Sequence, residues 1–88
     1  GYYYLEDYEK ALNHLNKAIA LDPKGEINNI NENFYNRGNV FTKMGKIKEA
    51  KKDFKEALNF NYPYFKKYAP SSVKNKLKKK IENALKQL

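Results

Sequence analysis

Of histidine, serine and cysteine, the side chains that most often serve as general base, nucleophile or soft metal ligand, this chain has one, two and none. His14 stands between Asn13 and Leu15, with no second histidine to share a metal ion and no thiol to activate. A general base needs an orienting group on one side and a reacting group on the other, and a lone histidine in this setting has neither. His14 therefore reads as a surface or packing residue. Ser71 and Ser72 sit together at the start of a lysine-rich helical run, where a hydroxyl caps the first turn. No glycine-rich phosphate loop accompanies them. The expectation is a protein that is not an enzyme and holds neither metal nor cofactor.

The chemistry that remains is recognition. Glu32, Tyr35, Asn36, Asn39, Thr42 and Lys43 recur at helical spacing and share one side of a helix. Each asparagine amide offers a donor and an acceptor to a peptide backbone, and the Lys43 ammonium can meet a carboxylate. On the other side of the same helix stand Phe34, Gly38, Phe41 and Gly45, spaced four, three and four. Ala50, Phe54, Ala57 and Leu58 repeat that logic after a turn at Gly45-Lys46. Small residues facing large rings let two helices lie close, with the rings filling the space beside them. Residues 33–58 thus predict an antiparallel helical hairpin.

The order Phe34, Gly38, Phe41, Gly45, Ala50, Phe54, Ala57 resembles a tetratricopeptide repeat, a unit of about 34 residues. Arg37 stands where that family usually has leucine, and the closing proline arrives late, as Pro63. A second stretch, YEKALNHLNKAIALDP, resembles the second helix of such a repeat through Tyr8, Ala11, Leu15, Ala18 and Pro23. The resemblance implies an all-α fold of helical hairpins, an α-solenoid fragment, with a concave groove that takes an extended peptide or a partner helix. The Tyr35-Asn36-Arg37 step is also similar to the carboxylate-clamp co-chaperones, a likeness that extends to Asn36 alone.

One domain over residues 1–88 is expected, in four parts: a truncated first repeat over 1–23, an extended connector over 24–33, a full repeat over 34–62 and a basic capping helix over 71–88. In the first part, Gly1 to Tyr4 are read as the remnant of a helix that ends at a turn around Glu6-Asp7. The next helix closes at Leu21-Asp22-Pro23, because proline cannot continue it. Tyr2, Tyr3, Tyr4 and Tyr8 would then form an aromatic end that stacks on an earlier repeat or on a second copy of the chain. Ala11 and Ala50 are 39 positions apart, and the excess over the family period falls in KGEINNINEN. There Ile27 and Ile30 can start the following helix early.

After Tyr62-Pro63, YFKKYAP reads as an aromatic connector. Val73, Leu77, Ile81, Leu85 and Leu88 then make one narrow apolar stripe on a cationic helix. Such a helix closes a repeat stack with a wet outer face. The net charge of +8 is carried almost wholly here: residues 63–88 hold eight lysines against Glu82 alone. Lys74, Lys78, Lys79 and Lys80 are accordingly the residues that would meet a nucleic acid or an anionic membrane.

No apolar run approaches the roughly 20 residues of a membrane span, and the amino terminus lacks a signal peptide's basic start and apolar middle. A soluble, by default cytoplasmic, protein is expected. Three functions follow in order: a groove that binds a protein or peptide through Glu32, Tyr35, Asn36, Asn39 and Lys43, a basic helix that binds a polyanion, and a self-associating segment of a longer array.

Overall fold

The computed structural model describes residues 2–88, with side chains described from Asp7 onward. Five helices follow one another with no strand among the described residues. The molecule measures 41 × 29 × 18 Å along its principal axes.

Helix α1 runs unbroken over Tyr2–Leu21, which corrects the turn expected around Glu6-Asp7. No glycine or proline interrupts that stretch, and acidic residues weaken a helix interior by only a few tenths of a kcal/mol. The one-turn remnant is therefore the first part of a single long helix. At its other end the expectation holds, since α1 stops at Leu21, two residues before Pro23.

Residues 22–29 form a loop organised by one side chain. The Asp22 carboxylate accepts hydrogen bonds from the backbone N–H groups of Glu26 (3.0 Å), Ile27 (2.9 Å) and Asn28 (2.7 Å). Asn29 then caps α2, Ile30–Lys43, by accepting the Glu32 N–H at 3.2 Å. Of the two isoleucines in this stretch, Ile30 opens the helix and is buried, whereas Ile27 stays in the loop and is exposed.

The turn into α3, Ile47–Ala57, is closed by two backbone bonds that satisfy the last carbonyls of α2. Lys46 donates to Phe41 at 2.8 Å and Gly45 to Thr42 at 3.1 Å. This pairing requires a left-handed residue between them, and Gly45 supplies it at φ +79°. Gly38 answers a different need. A Cβ there would lie 2.7 Å from the Phe54 ring, so only glycine lets α3 approach this closely.

Residues 63–68, read from the sequence as a connector, form a helix, α4, Pro63–Tyr68. Proline at its first position begins a helix as readily as it ends one, because the missing N–H has no partner there in any case. Helix α5 spans Ser71–Lys86 with Pro70 in the capping position, so neither Ser71 nor Ser72 caps it through a side chain. Pro70 is extended, at ψ 164°, and its carbonyl takes the Lys74 N–H at 3.1 Å.

Ala50, Phe54, Ala57, Phe65, Leu77 and Ile81 form the core, contributed by α3, α4 and α5. Leu85 and Leu88 pack against it partly buried, while Val73, the first residue of the apolar stripe, is 42% exposed. Helix α2 packs between α1 and α3, and α5 lies against both α3 and α2.

Candidate binding cleft

Helix α2 presents its amide-rich side to an open cleft. One depression of about 460 Å³ is lined by Ala18 and Leu21 of α1, Asn28 and Asn29 of the loop, and Glu32, Asn33 and Asn36 of α2. A second, of about 180 Å³, is lined by Asn29, Glu32, Val73, Lys76, Leu77 and Lys80. Asn29 and Glu32 line both, so the two depressions adjoin on α2 and together outline a trough with α1 on one side and α5 on the other. The side-chain amides of Asn33 and Asn36 make no hydrogen bond among the described residues and remain available to a ligand.

The five residues predicted from the sequence divide here. Glu32 and Asn36 line the trough, whereas Tyr35, Asn39 and Lys43 lie outside the lining of both depressions. Tyr35 is half-buried, its ring 6.0 Å from that of Phe54, so it packs on the core. Lys43 is exposed in the last turn of α2, and Asn39 is half-buried two turns beyond Glu32. Asn28, Asn29 and Asn33 were not singled out by the sequence reading. The dense run of asparagines in INNINEN was the available signal.

What holds the trough's floor in place is a set of buried polar contacts. Asn31 is fully buried, and its amide donates at 2.8 Å to the carbonyls of both Ala57 and Asn59, closing the end of α3. Its Oδ1 is buried with no hydrogen-bond partner among the described residues. One turn and a half along α2, Arg37 donates from Nε and Nη2 to the two oxygens of the buried Asp53, each at 2.8 Å. Its remaining nitrogen reaches Asn16 of α1 at 3.0 Å, and its guanidinium carbon lies 5.4 Å and 5.9 Å from the ring centres of Phe34 and Phe41. Arg37 thus joins three helices behind the trough.

Two groups have displaced acidities. The Asn28 N–H, and after it those of Ile27 and Glu26, hold the Asp22 carboxyl below its ordinary range, against the opposing effect of burial. Burial, followed by the carboxylate of Glu56 to which its hydroxyl donates, pushes Tyr62 up to about 12.

The lysines proposed to meet a polyanion do not share one patch. Lys74 lies 5.5 Å from the ring centre of Phe60 and lines a separate depression with Phe65 and Lys66. Lys80 opens instead onto the trough beside Lys76. Helical spacing puts Lys74 and Lys78 on one flank of the Leu77–Ile81 seam, Lys76 and Lys80 on the other, and Lys79 outward. Of the aromatic residues proposed for self-association, Tyr2, Tyr3 and Tyr4 lie outside the described side chains, and Tyr8 is half-buried. His14 is exposed on α1 beside Lys10, Asn13 and Lys17. Among the described residues no cluster of three His, Cys, Asp or Glu side chains is placed to hold a metal ion, and no helix is long and apolar enough to cross a membrane.

Comparison with protein-family models gives two matches, both described as tetratricopeptide repeat, over residues 1–24 and 33–61. Together they span more than half of the chain. They indicate the repeat family at large and do not single out the carboxylate-clamp subgroup. No curated protein and no solved structure matches the chain.

Proposed function

We propose that this chain, which belongs to the tetratricopeptide repeat family, is a protein-binding module whose trough across α2 holds an extended segment of another protein. The observation that carries this reading is that two adjoining depressions share Asn29 and Glu32 in their linings. Two shallow depressions side by side suit an extended chain better than a compact ligand. Its floor also offers amide groups that pair with peptide N–H and C=O regardless of sequence. Side-chain selectivity then falls to the walls, where Leu21, Val73 and Leu77 supply apolar surface. The Arg37–Asp53 pair and Asn31 fix the floor before any ligand arrives, which reduces the ordering cost of binding.

The test is a selection of random dodecapeptides displayed against the whole chain, followed by photo-cross-linking. A photoreactive residue is placed at Asn36 in one variant and at Lys79, on the outer side of α5, in another. Cross-links from the Asn36 position alone are expected. Equal labelling from both positions, or none from Asn36, would overturn the assignment of the trough.

A further inference from the structure

The two walls of the trough differ in charge, and the difference bears on what lies between them. Lys76 and Lys80 stand on the α5 wall, one helical turn apart, and neither has an ion-pair partner among the described residues. On the α1 side the lining is Ala18 and Leu21, neither of them charged. The only acid in the lining is Glu32, on the floor.

From this arrangement we infer that the segment bound in the trough is acidic, with two carboxylates spaced i and i+2 that face Lys76 and Lys80. This inference rests on the peptide-binding reading above and adds the class of peptide.

The spacing supports it. Residues four apart on a helix are separated by about 6 Å along its axis. Alternate side chains of an extended strand recur on one side at about 7 Å. Two acidic side chains of an extended segment laid along α5 therefore match the spacing of the two ammonium groups. Glu32 repels a carboxylate lowered onto the floor, which directs the acids to the α5 wall. An apolar residue pointing away from them, toward α1, meets Leu21, which is 82% exposed and has no other cover among the described residues. The pattern sought is thus acid, apolar, acid.

The selection already described provides the test when it is run on three forms of the chain. These are the parent, a Lys76→Glu/Lys80→Glu variant, and a Lys66→Glu/Lys67→Glu control that carries the same change in net charge on α4. Peptides selected by the parent and by the control are expected to be enriched in Asp and Glu at i, i+2 spacing. Enrichment should vanish or turn to Lys and Arg with the trough variant. A labelled peptide from the parent selection should bind the trough variant about tenfold more weakly while losing little on the control.

Loss of acidic enrichment in both variants alike would show an effect of overall charge and overturn the inference. Peptides that require the trough, losing affinity when Asn36→Trp fills it, but show no acidic excess would leave the peptide reading standing and remove the inference alone. Binders indifferent to Asn36→Trp, or no binders at all, would remove both. A labelled 12-mer of single-stranded DNA that binds the parent as tightly as the peptides, and weakens equally with Lys76→Glu/Lys80→Glu, would reassign the two lysines to phosphate and overturn it as well.

Discussion

Arg37 and Asp53 meet fork to fork, the Nε and Nη2 of one guanidinium closing on both oxygens of one carboxylate at 2.8 Å. The carboxylate side chain is 4% exposed and the arginine side chain 21%, so the pair is shielded far more than a surface ion pair. Removing one partner strands the other. Asp53→Ala is expected to lower stability by about 2–3 kcal/mol, below the full range for a wholly buried pair because the arginine keeps some water. Replacing both residues with leucine should recover most of that loss, since apolar side chains of similar volume need no partner. Urea denaturation followed by far-UV circular dichroism measures both. A double variant no more stable than the single one would show that the contacts of Arg37 with Asn16 and the phenylalanine rings dominate instead.

Gly38 sets the distance between α2 and α3. An alanine there gains about 1 kcal/mol of helix propensity but drives a methyl group to 2.7 Å from the ring of the fully buried Phe54. Overpacking of this kind costs about 1–3 kcal/mol, so Gly38→Ala should be net destabilising by up to about 2 kcal/mol. Pairing it with Phe54→Leu should shrink the effect of the alanine, because the clash is removed. The double-mutant cycle, read from the same urea curves, should give a favourable coupling between the two substitutions, and strict additivity would contradict the close approach.

Asn31 faces two carbonyls with an amide nitrogen, which makes its role as a donor as important as its shape. Asn31→Asp puts a carboxylate against Ala57 and Asn59 in place of a donor, in a fully buried position. Loss of the two bonds and exposure of a buried charge to two carbonyl dipoles should destabilise the protein by more than about 3 kcal/mol near neutral pH. The deficit should diminish at low pH, where the substituted acid is protonated and can donate. Thermal melts of the variant at pH 7 and pH 4 test this, and a deficit that grows on acidification would refute the assignment of Asn31 as a donor.

Acid should act on the parent protein through Asp22. In the folded state its pKa is held below the ordinary value of 3.8, so the native state favours the ionised form more than the unfolded chain does. The resulting stability is present above the unfolded value and is lost as pH falls through the folded one. Asp22→Asn, which lacks the charge that three N–H donors converge on, should be less stable than the parent at pH 6. The two proteins should converge as the pH is taken below 3.8. Urea midpoints measured from pH 6 to pH 2 give the comparison, and a gap independent of pH would assign the role of Asp22 to shape alone.

The hairpin was legible because its signal is local. Phe34, Gly38, Phe41, Ala50, Phe54 and Ala57 place small residues against rings at helical spacing, and that complementarity needs no knowledge of the rest of the chain. Glu6-Asp7 misled because acidic residues favour helix starts without requiring one, and no breaker precedes them. Tyr62-Pro63 and Pro70 misled in a related way. Proline marks a helix boundary in sequence but does not say which side of it the helix lies on. Arg37 stood out as a departure from the family's leucine, yet its meaning depended on Asp53, sixteen residues away and itself unremarkable in a lysine-rich run. Asn31 could not be told from its exposed neighbours, because its burial follows from the position of the end of α3. Half of the trough was hidden for the same reason: Lys76, Lys80 and Leu21 come together only when α5 and α1 flank α2.

One long-range contact between a loop and a helix also governs time. The Tyr64 N–H, in the first turn of α4, donates to the carbonyl of Gly25 in the loop that Asp22 organises, at 2.8 Å. The residues are 39 positions apart, so this link must wait until the intervening hairpin has formed, whereas the α2–α3 pair can form early from neighbouring sequence. The chain accordingly has a first act and a last one. The loop and α4 lock each other in place at the end, and neither can open without releasing its partner. In a hydrogen-exchange experiment the amide of Tyr64 should exchange at the rate of that joint release, and the amides of Ile27 and Asn28 should keep the same clock.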